Sequence, residues 1–267
     1  MKTVYGSKFT LIWLSSIILG LVCTGISDAA IIDKDTLELA FLFDQNSGKT
    51  VKDSSENGRD GTIISGPKFV KGKFGNALEF DGNDDNIIVE GYFGIGGTEP
   101  RTTVFWFQAK DAREHSWVKW GPNVDTQKYY VRAHLAGAEC YLRVEVAGGQ
   151  NYGGDDVCDG EWHHCAVVFP KGSKSVQDHN LYVDGKLQIK QGGDQAMDTD
   201  NKAQEVNMGD FLAHHAFMFG LFDEVAIFNV ELTPKQIDAI MTDGLAAALA
   251  IEPQGKLATS WAIIKAY

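Results

Sequence analysis

Three stretches of this chain carry residue types that could do chemistry. In Glu79-Phe80-Asp81-Gly82-Asn83-Asp84 two carboxylates stand two residues apart, so on an extended strand Glu79 and Asp81 share one face. A retaining glycosidase sets such a pair about 5–5.5 Å apart, one as nucleophile and one as acid. Here Gly82-Asn83 favours a turn where a catalytic strand would have to continue, so the segment reads chiefly as a strand end and connection. With Asp85, the acids Asp81 and Asp84 are also a weaker metal candidate. The second stretch, Asp53-Ser54-Ser55-Glu56-Asn57-Gly58, has oxygen side chains and a glycine spaced as in the first half of a calcium loop. Ile64 occupies the position where a bidentate glutamate would close an EF-hand. A calcium ion, which takes about six to eight oxygens, would therefore need a carboxylate from elsewhere; the plain alternative is a set of turn formers and solvated acids.

The third stretch is SWVKWGPNVDTQKYY, where Trp117, Trp120, Tyr129 and Tyr130 could face a sugar or a protein partner, with Asn123, Asp125 and Gln127 as polar contacts. The alternative is that these aromatics fill a core. Trp106 and Trp162 are read as core. Trp162-His163-His164 and His214-His215 resemble metal signatures, but neighbouring side chains on a strand point to opposite faces and cannot easily share an ion. The chain has no G-x-S-x-G elbow to hold a serine nucleophile.

The elements that must position these residues are strands. From Leu37 on, runs such as LELAFLF, ALEF, NIIVE, TTVFWFQ, KYYVRAHL, CYLRVEV, HHCAVVF and DEVAIFNV alternate with period two, separated by Gly, Asn and Asp. Many short strands without intervening helices predict an all-β, antiparallel sandwich or barrel. Tyr182-Val183-Asp184-Gly185-Lys186-Leu187 predicts a hairpin with a primed two-residue turn. Helical spacing appears only after Thr233-Pro234-Lys235-Gln236, a capping box followed by an apolar stripe of Ile237, Ile240 and Met241.

Composition narrows the partners. A formal net charge of −12 argues against nucleic acid and anionic membrane surfaces. Lys2 and Lys8 precede an apolar stretch from Leu11 to Val22, and small residues follow up to Ala29 and Ala30. That pattern predicts a signal peptide over residues 1–29, with no membrane insertion after cleavage, and an exported protein: secreted, periplasmic or cell-surface. Beyond it Cys140, Cys158 and Cys165 remain; Cys140 with Cys158 is the favoured pair if a bridge forms, and Cys165 reads as a small buried hydrophobe. Residues 244–267 read as a C-terminal tail that could dock a second protein.

Taken in order, AFLFDQNSGKTVKDSSENGRDGTI, GKFGNALEFDGNDDNIIV, TTVFWFQ, DGEWHHCAVVF, LYVDGKLQI and FDEVAIFNVELTPKQI resemble the laminin-G-like domains of the concanavalin A-like lectin and glucanase superfamily. The resemblance implies a two-sheet antiparallel jelly-roll sandwich over residues 30–243 with a short C-terminal helix, usually non-catalytic, often with one structural calcium. It makes Asp223, the acid of the D-E-V strand, the lender that completes a calcium site with Asp53, Asn57, backbone carbonyls of residues 58–61 and Asp60. Related glucanases carry E-x-D-x-x-E where this chain has Glu79, Asp81 and Asp84. The expected function is an exported non-catalytic module binding extracellular glycan or glycoprotein, with Trp117, Trp120, Asn123 and Tyr129 at the ligand. A structural or protein-interaction module is the alternative, and a glycoside hydrolase a more distant one.

Overall fold

The computed structural model describes residues 32–109, 111–200, 202–210 and 217–249. In chain order the first eight strands are β1 (Leu37–Phe41), β2 (Thr50–Val51), β3 (Gly61–Ile64), β4 (Lys68–Lys71), β5 (Asn76–Asp81), β6 (Asn86–Val89), β7 (Arg101–Gln108) and β8 (Ser116–Trp120). Then come β9 (Tyr129–Ala136), β10 (Glu139–Val146), β11 (Gly149–Asp156), β12 (Trp162–Phe169), β13 (Asn180–Val183), β14 (Lys186–Leu187), β15 (Val206–Met208) and β16 (Phe219–Phe228). Two short helices, α1 (Pro234–Asp243) and α2 (Leu245–Ala248), follow. The first sheet runs β14-β13-β12-β7-β16-β5-β4, with β1 also on β16; the second runs β11-β10-β9-β8-β15-β6-β3-β2. Among the described residues every pairing between these strands is antiparallel, and sheet neighbours are often far apart in sequence, as in a jelly roll.

Local chemistry accounts for the punctuation. Asp184 and Gly185 both take positive φ, 49° and 74°, which a primed hairpin turn requires. Thr233 caps α1 by accepting from the Gln236 amide at 3.3 Å, while the Gln236 side chain accepts the Thr233 amide at 2.9 Å. Cys140 and Cys158 form a disulfide, and Cys165 is buried and unbridged.

Alternation produces two apolar layers rather than one. Phe105, Phe107, Leu142, Val144, Val167 and Phe222 pack between the sheets. Val104, Ala166, Val168, Ala226 and Phe228 point the other way from the first sheet, under Ile237, Ile240, Leu245 and Leu249. Just past residue 243, Leu245 is wholly buried in this layer, and its amide donates to Glu224 at 2.8 Å. The expected signal segment, His214-His215 and the tail beyond Leu249 lie outside the described residues. Among the described residues no helix is long and apolar enough to cross a membrane.

Strand β11, GQNYGGDD, has no β-branched residue and carries no pattern of its own. It pairs at the edge of the second sheet with β10, and Gly153 gives the Ile189 carbonyl room to approach its backbone.

Candidate functional site

The expected calcium ligands are built for other work. Asp53 is 4% exposed; its Oδ1 accepts from the amides of Ala40 at 3.1 Å and Ser55 at 2.9 Å. Its Oδ2 accepts from the Ser55 hydroxyl at 2.8 Å and the Arg59 amide at 3.0 Å. Asn57 turns its amide nitrogen toward the carbonyls of Leu37 and Glu38. Asp60 accepts from the Asp53 amide at 3.0 Å and pairs with Lys52 at 2.5 Å. Asp223 is wholly buried: Oδ2 accepts from the amides of Lys73 and Phe74 at 2.9 and 3.0 Å, and Oδ1 from the Glu224 amide at 2.8 Å. Burial outweighs those donors and pushes its carboxyl up to about 8. As placed they do not gather round one ion: among the described residues Asp53, Asp60 and Asp223 are not among the acids whose oxygens converge, and Asn57 gives its nitrogen to backbone carbonyls. Asp53, Asn57 and Asp60 instead tie their loop to β1, and Asp223 clamps the 72–74 turn.

Three carboxylates do converge at Asp81, Asp84 and Asp85, whose oxygens lie within 4.8 Å of one another. They behave as turn chemistry. Asp81 accepts from the Asn83 amide at 2.9 Å and its side-chain nitrogen at 3.0 Å, and Asp85 accepts from the Asp81 amide at 3.0 Å. The Asn83 side chain, then its amide, hold the Asp81 carboxyl below the usual range, opposite to what a general acid needs. β5 ends at Asp81, and Gly82 takes a φ of 78° that directs the chain into the turn.

The expected ligand-facing aromatics lie inside. Trp117, Trp120 and Tyr129 are 0% exposed: Trp117 packs on Phe105 and Phe107, and Trp120 stacks on Tyr129 at 4.0 Å. The hydrophobic drive to bury such large rings prevails, so these three do not form a binding surface. Asn123 is exposed, but its side-chain oxygen accepts from Lys128 at 3.1 Å. Trp106 is buried as expected, whereas Trp162 is only half-buried. His163 and His164 do point to opposite faces: His163 lies between Asp184 at 2.9 Å and Asp159 at 3.0 Å, while His164 packs against Trp106.

The arrangement suited to recognition is the outward side of the second sheet. Across β9 and β10, Tyr130 faces Glu145, Arg132 faces Arg143 and His134 faces Tyr141; β11 adds Gln150 opposite Glu145 and Tyr152 opposite Arg143. The intervening Val131, Ala133, Leu142 and Val144 go to the core, so one period-two pattern makes both surfaces. Glu145 gathers Lys128 and Arg143 in direct ion pairs and Arg132 at 3.6 Å; Arg132 also pairs with Glu114 at 2.5 Å. The Lys128 and Arg132 side chains are each 3% exposed, a degree of charge burial that demands such pairing. Burial, then Arg132, lower the Arg143 guanidinium to about 10, and its Nε is buried without a partner. Tyr152 stacks on His134 with ring centres 3.7 Å apart.

Two clefts open on this face. One, of about 390 Å³, lies among Arg143, Glu145, Gly149, Gln150 and Gly193. The other, of about 410 Å³, is lined by Ile88, Phe93, Lys119, Gln204, Asn207 and Asp210. Convergent hydrogen-bonding groups beside aromatic rings in clefts of this size suit a ligand rich in polar groups.

The sequence reading named Tyr130 but missed Arg132, Arg143, Glu145 and Tyr152, which share its face. The available signal was their alternation with apolar residues in YYVRAHL and CYLRVEV, which turns large hydrogen-bonding side chains to one side. Asn207 and Asp210 carry no comparable signal.

A family model described as the concanavalin A-like lectin/glucanases superfamily matches residues 81–238. A comparison with curated proteins returned no match. Among solved structures, domain 4 of AbnA, an extracellular GH43 arabinanase from Geobacillus stearothermophilus in complex with arabinotriose, is 19% identical, with a TM-score of 0.57 over 77% of this chain and 98% of that one. The binding domain of Paraclostridial mosquitocidal protein 1 is 16% identical, with a TM-score of 0.58 over 79% of this chain and 52% of that one. The binding domain of botulinum neurotoxin DC in complex with SialylT is 12% identical, with a TM-score of 0.54 and the same coverage. The chain thus spans about half the length of these toxin domains, and likeness at such identities establishes the shared fold.

Proposed function

Because the chain belongs to the concanavalin A-like lectin/glucanases superfamily, we propose that it is a non-catalytic module that works outside the cell and binds a glycan or glycoprotein on the outward face of its second sheet. The observation that carries this reading is the row of paired charges and aromatic rings from Tyr130 to Tyr152, flanked by two clefts, on a sheet whose other side is mainly apolar. Guanidinium, carboxylate and amide groups fixed in mutual ion pairs are preorganised to exchange hydrogen bonds with hydroxyls. The neighbour solved with arabinotriose and the one solved with SialylT lend the glycan reading support by analogy of fold. Export is supported by the apolar stretch after Lys8 and by the disulfide, a bond that persists in oxidising compartments. The non-catalytic reading is supported by the turn at Gly82, which takes Asp84 off the strand that carries Glu79 and Asp81.

A glycan array probed with the wild-type protein and with Arg143→Ala tests the reading. Binding that Arg143→Ala abolishes supports it, and an array without a ligand overturns the glycan assignment. A second reading, a protein-interaction module, is favoured by Leu187 and Ile189, which are 59% and 63% exposed beside the open edge at β14. The complex of botulinum neurotoxin DC with rat synaptotagmin II is a protein-bound example among the similar folds.

A further inference from the structure

The disulfide between Cys140 and Cys158 has a histidine beside it. Both sulfurs and one ring nitrogen of His115 lie within 4.8 Å of one another, in the interior: His115 and Cys140 are 0% exposed and Cys158 5%. Bonds other than the disulfide fix all three backbones. One carboxylate oxygen of Asp156 accepts from the amides of Cys140 at 2.9 Å and Cys158 at 3.0 Å, and the Cys140 carbonyl accepts from Val157 at 2.9 Å. The His115 carbonyl accepts from the Ala133 amide at 2.8 Å. Its ring Nε2 lies 2.9 Å from the Asp111 carbonyl, which can only accept, so Nε2 carries the hydrogen and Nδ1 the lone pair. Nδ1 takes a longer bond, 3.2 Å, from the amide of Phe219, a 37% exposed residue at the start of β16. A buried imidazole that donates from one nitrogen to a carbonyl is oriented as metal-ligating histidines usually are.

We propose that Cys140, Cys158 and His115 become a zinc(II) site when the disulfide is reduced, a role independent of the glycan reading. A dithiol reductant supplies two electrons and two protons: the S–S bond breaks, two thiols form, and the reductant closes its own disulfide. Zinc then displaces one proton from each thiol, and no further electron moves. The spacing fits. Ligand atoms around tetrahedral zinc stand about 3.5–3.8 Å apart, given bonds of about 2.3 Å to sulfur and about 2.0–2.1 Å to nitrogen. Rotation of the freed sulfurs covers the difference, while Asp156 keeps their backbones in place. His115 gives up only the long bond from Phe219, whose exposed position offers water in exchange. Charge selects the ion. Two thiolates neutralise a divalent ion, as burial requires, whereas copper(I) would leave a net negative charge. Thiolate and imidazole do not suit calcium or magnesium.

The test is anaerobic titration of the untagged protein with zinc(II) and with cobalt(II), its coloured stand-in. Wild type is compared before and after treatment with dithiothreitol, which is then removed, and with reduced His115→Gln and Cys165→Ser; circular dichroism confirms that each is folded. The expected result is one ion per reduced chain, with thiolate-to-cobalt absorption and a melting temperature raised by zinc, and neither in the oxidised protein. His115→Gln should weaken binding about a hundredfold or more, since loss of an outer-shell partner alone costs roughly 10- to 100-fold. Cys165→Ser should bind as wild type does. A histidine that only bridges Asp111 and Phe219 would alter stability in both redox states and leave cobalt affinity unchanged, which would overturn the site. So would cobalt absorption lost in Cys165→Ser, a bond that dithiothreitol leaves intact in the folded protein, or unfolding on reduction in the presence of zinc. Should His115→Gln fail to fold, NMR of reduced wild type decides: cobalt should displace the His115 Nε2–H resonance strongly, and an unmoved resonance would overturn the proposal.

Discussion

The two sheets turn opposite chemistry away from their shared core. The first sheet sends Val104, Ala166, Val168, Ala226 and Phe228 outward into a second apolar layer, and the chain covers that layer with Ile237, Ile240, Leu245 and Leu249. The second sheet sends out Lys119, Tyr130, Arg132, Arg143, Glu145 and Asn207, with clefts beside them. One face is closed by the protein's own helices; the other is stabilised by ion pairs in place of an apolar cover. Buried ion pairs seldom stabilise more than well-packed apolar residues would, so their presence on one face only points to recognition there.

Breaking each face separately should separate stability from binding. The largest effect is expected from Glu145→Ala, which leaves Lys128, Arg132 and Arg143 without the acid they share: about 3–5 kcal/mol in denaturant unfolding, with loss of saccharide binding. Ile240→Ala under α1 should cost about 2–4 kcal/mol and leave binding of the folded protein unchanged. Asp53→Ala should cost about 1–3 kcal/mol, equally in calcium and in chelator, because its carboxylate serves amides and a hydroxyl.

The smallest effect is a pH dependence at the rim of the first sheet. Burial opposes charge on His163, but the hydrogen bonds to Asp184 and Asp159 prevail and raise it from 6.5 to about 9. A raised folded-state value favours the folded protein below about pH 6.5, and that contribution disappears as pH rises through about 9. Wild type should therefore exceed His163→Gln by roughly 1 kcal/mol near pH 6, since both carboxylates face water, and the difference should vanish by about pH 10. Saccharide binding should not follow this titration.

The architecture was legible because alternation is a strong signal. Runs such as TTVFWFQ and HHCAVVF became β7 and β12, the Asp184-Gly185 turn formed, and the capped helix began at Pro234. Strands β8, β11 and β15 were harder: SWVKW is buried throughout by the strand and loops around it, and GQNYGGDD has neither branched nor alternating apolar side chains. The site was less legible because composition names residue types and leaves their surroundings open. Trp117 and Trp120 suited a sugar equally well in a core or on a rim, and burial fixed them in the core. Asp53, Asn57 and Asp223 have oxygens at calcium-like spacing, yet nearby backbone amides claim those carboxylates in a way no spacing rule reveals.

The most direct test of the outward face of the second sheet is backbone amide chemical-shift mapping by NMR during titration with whichever saccharide binds most tightly. The account predicts shifts concentrated on β6, β8, β9, β10 and β15, with the layer beneath α1 unmoved. Shifts confined to α1, the β14 edge or the 81–85 turn would contradict it.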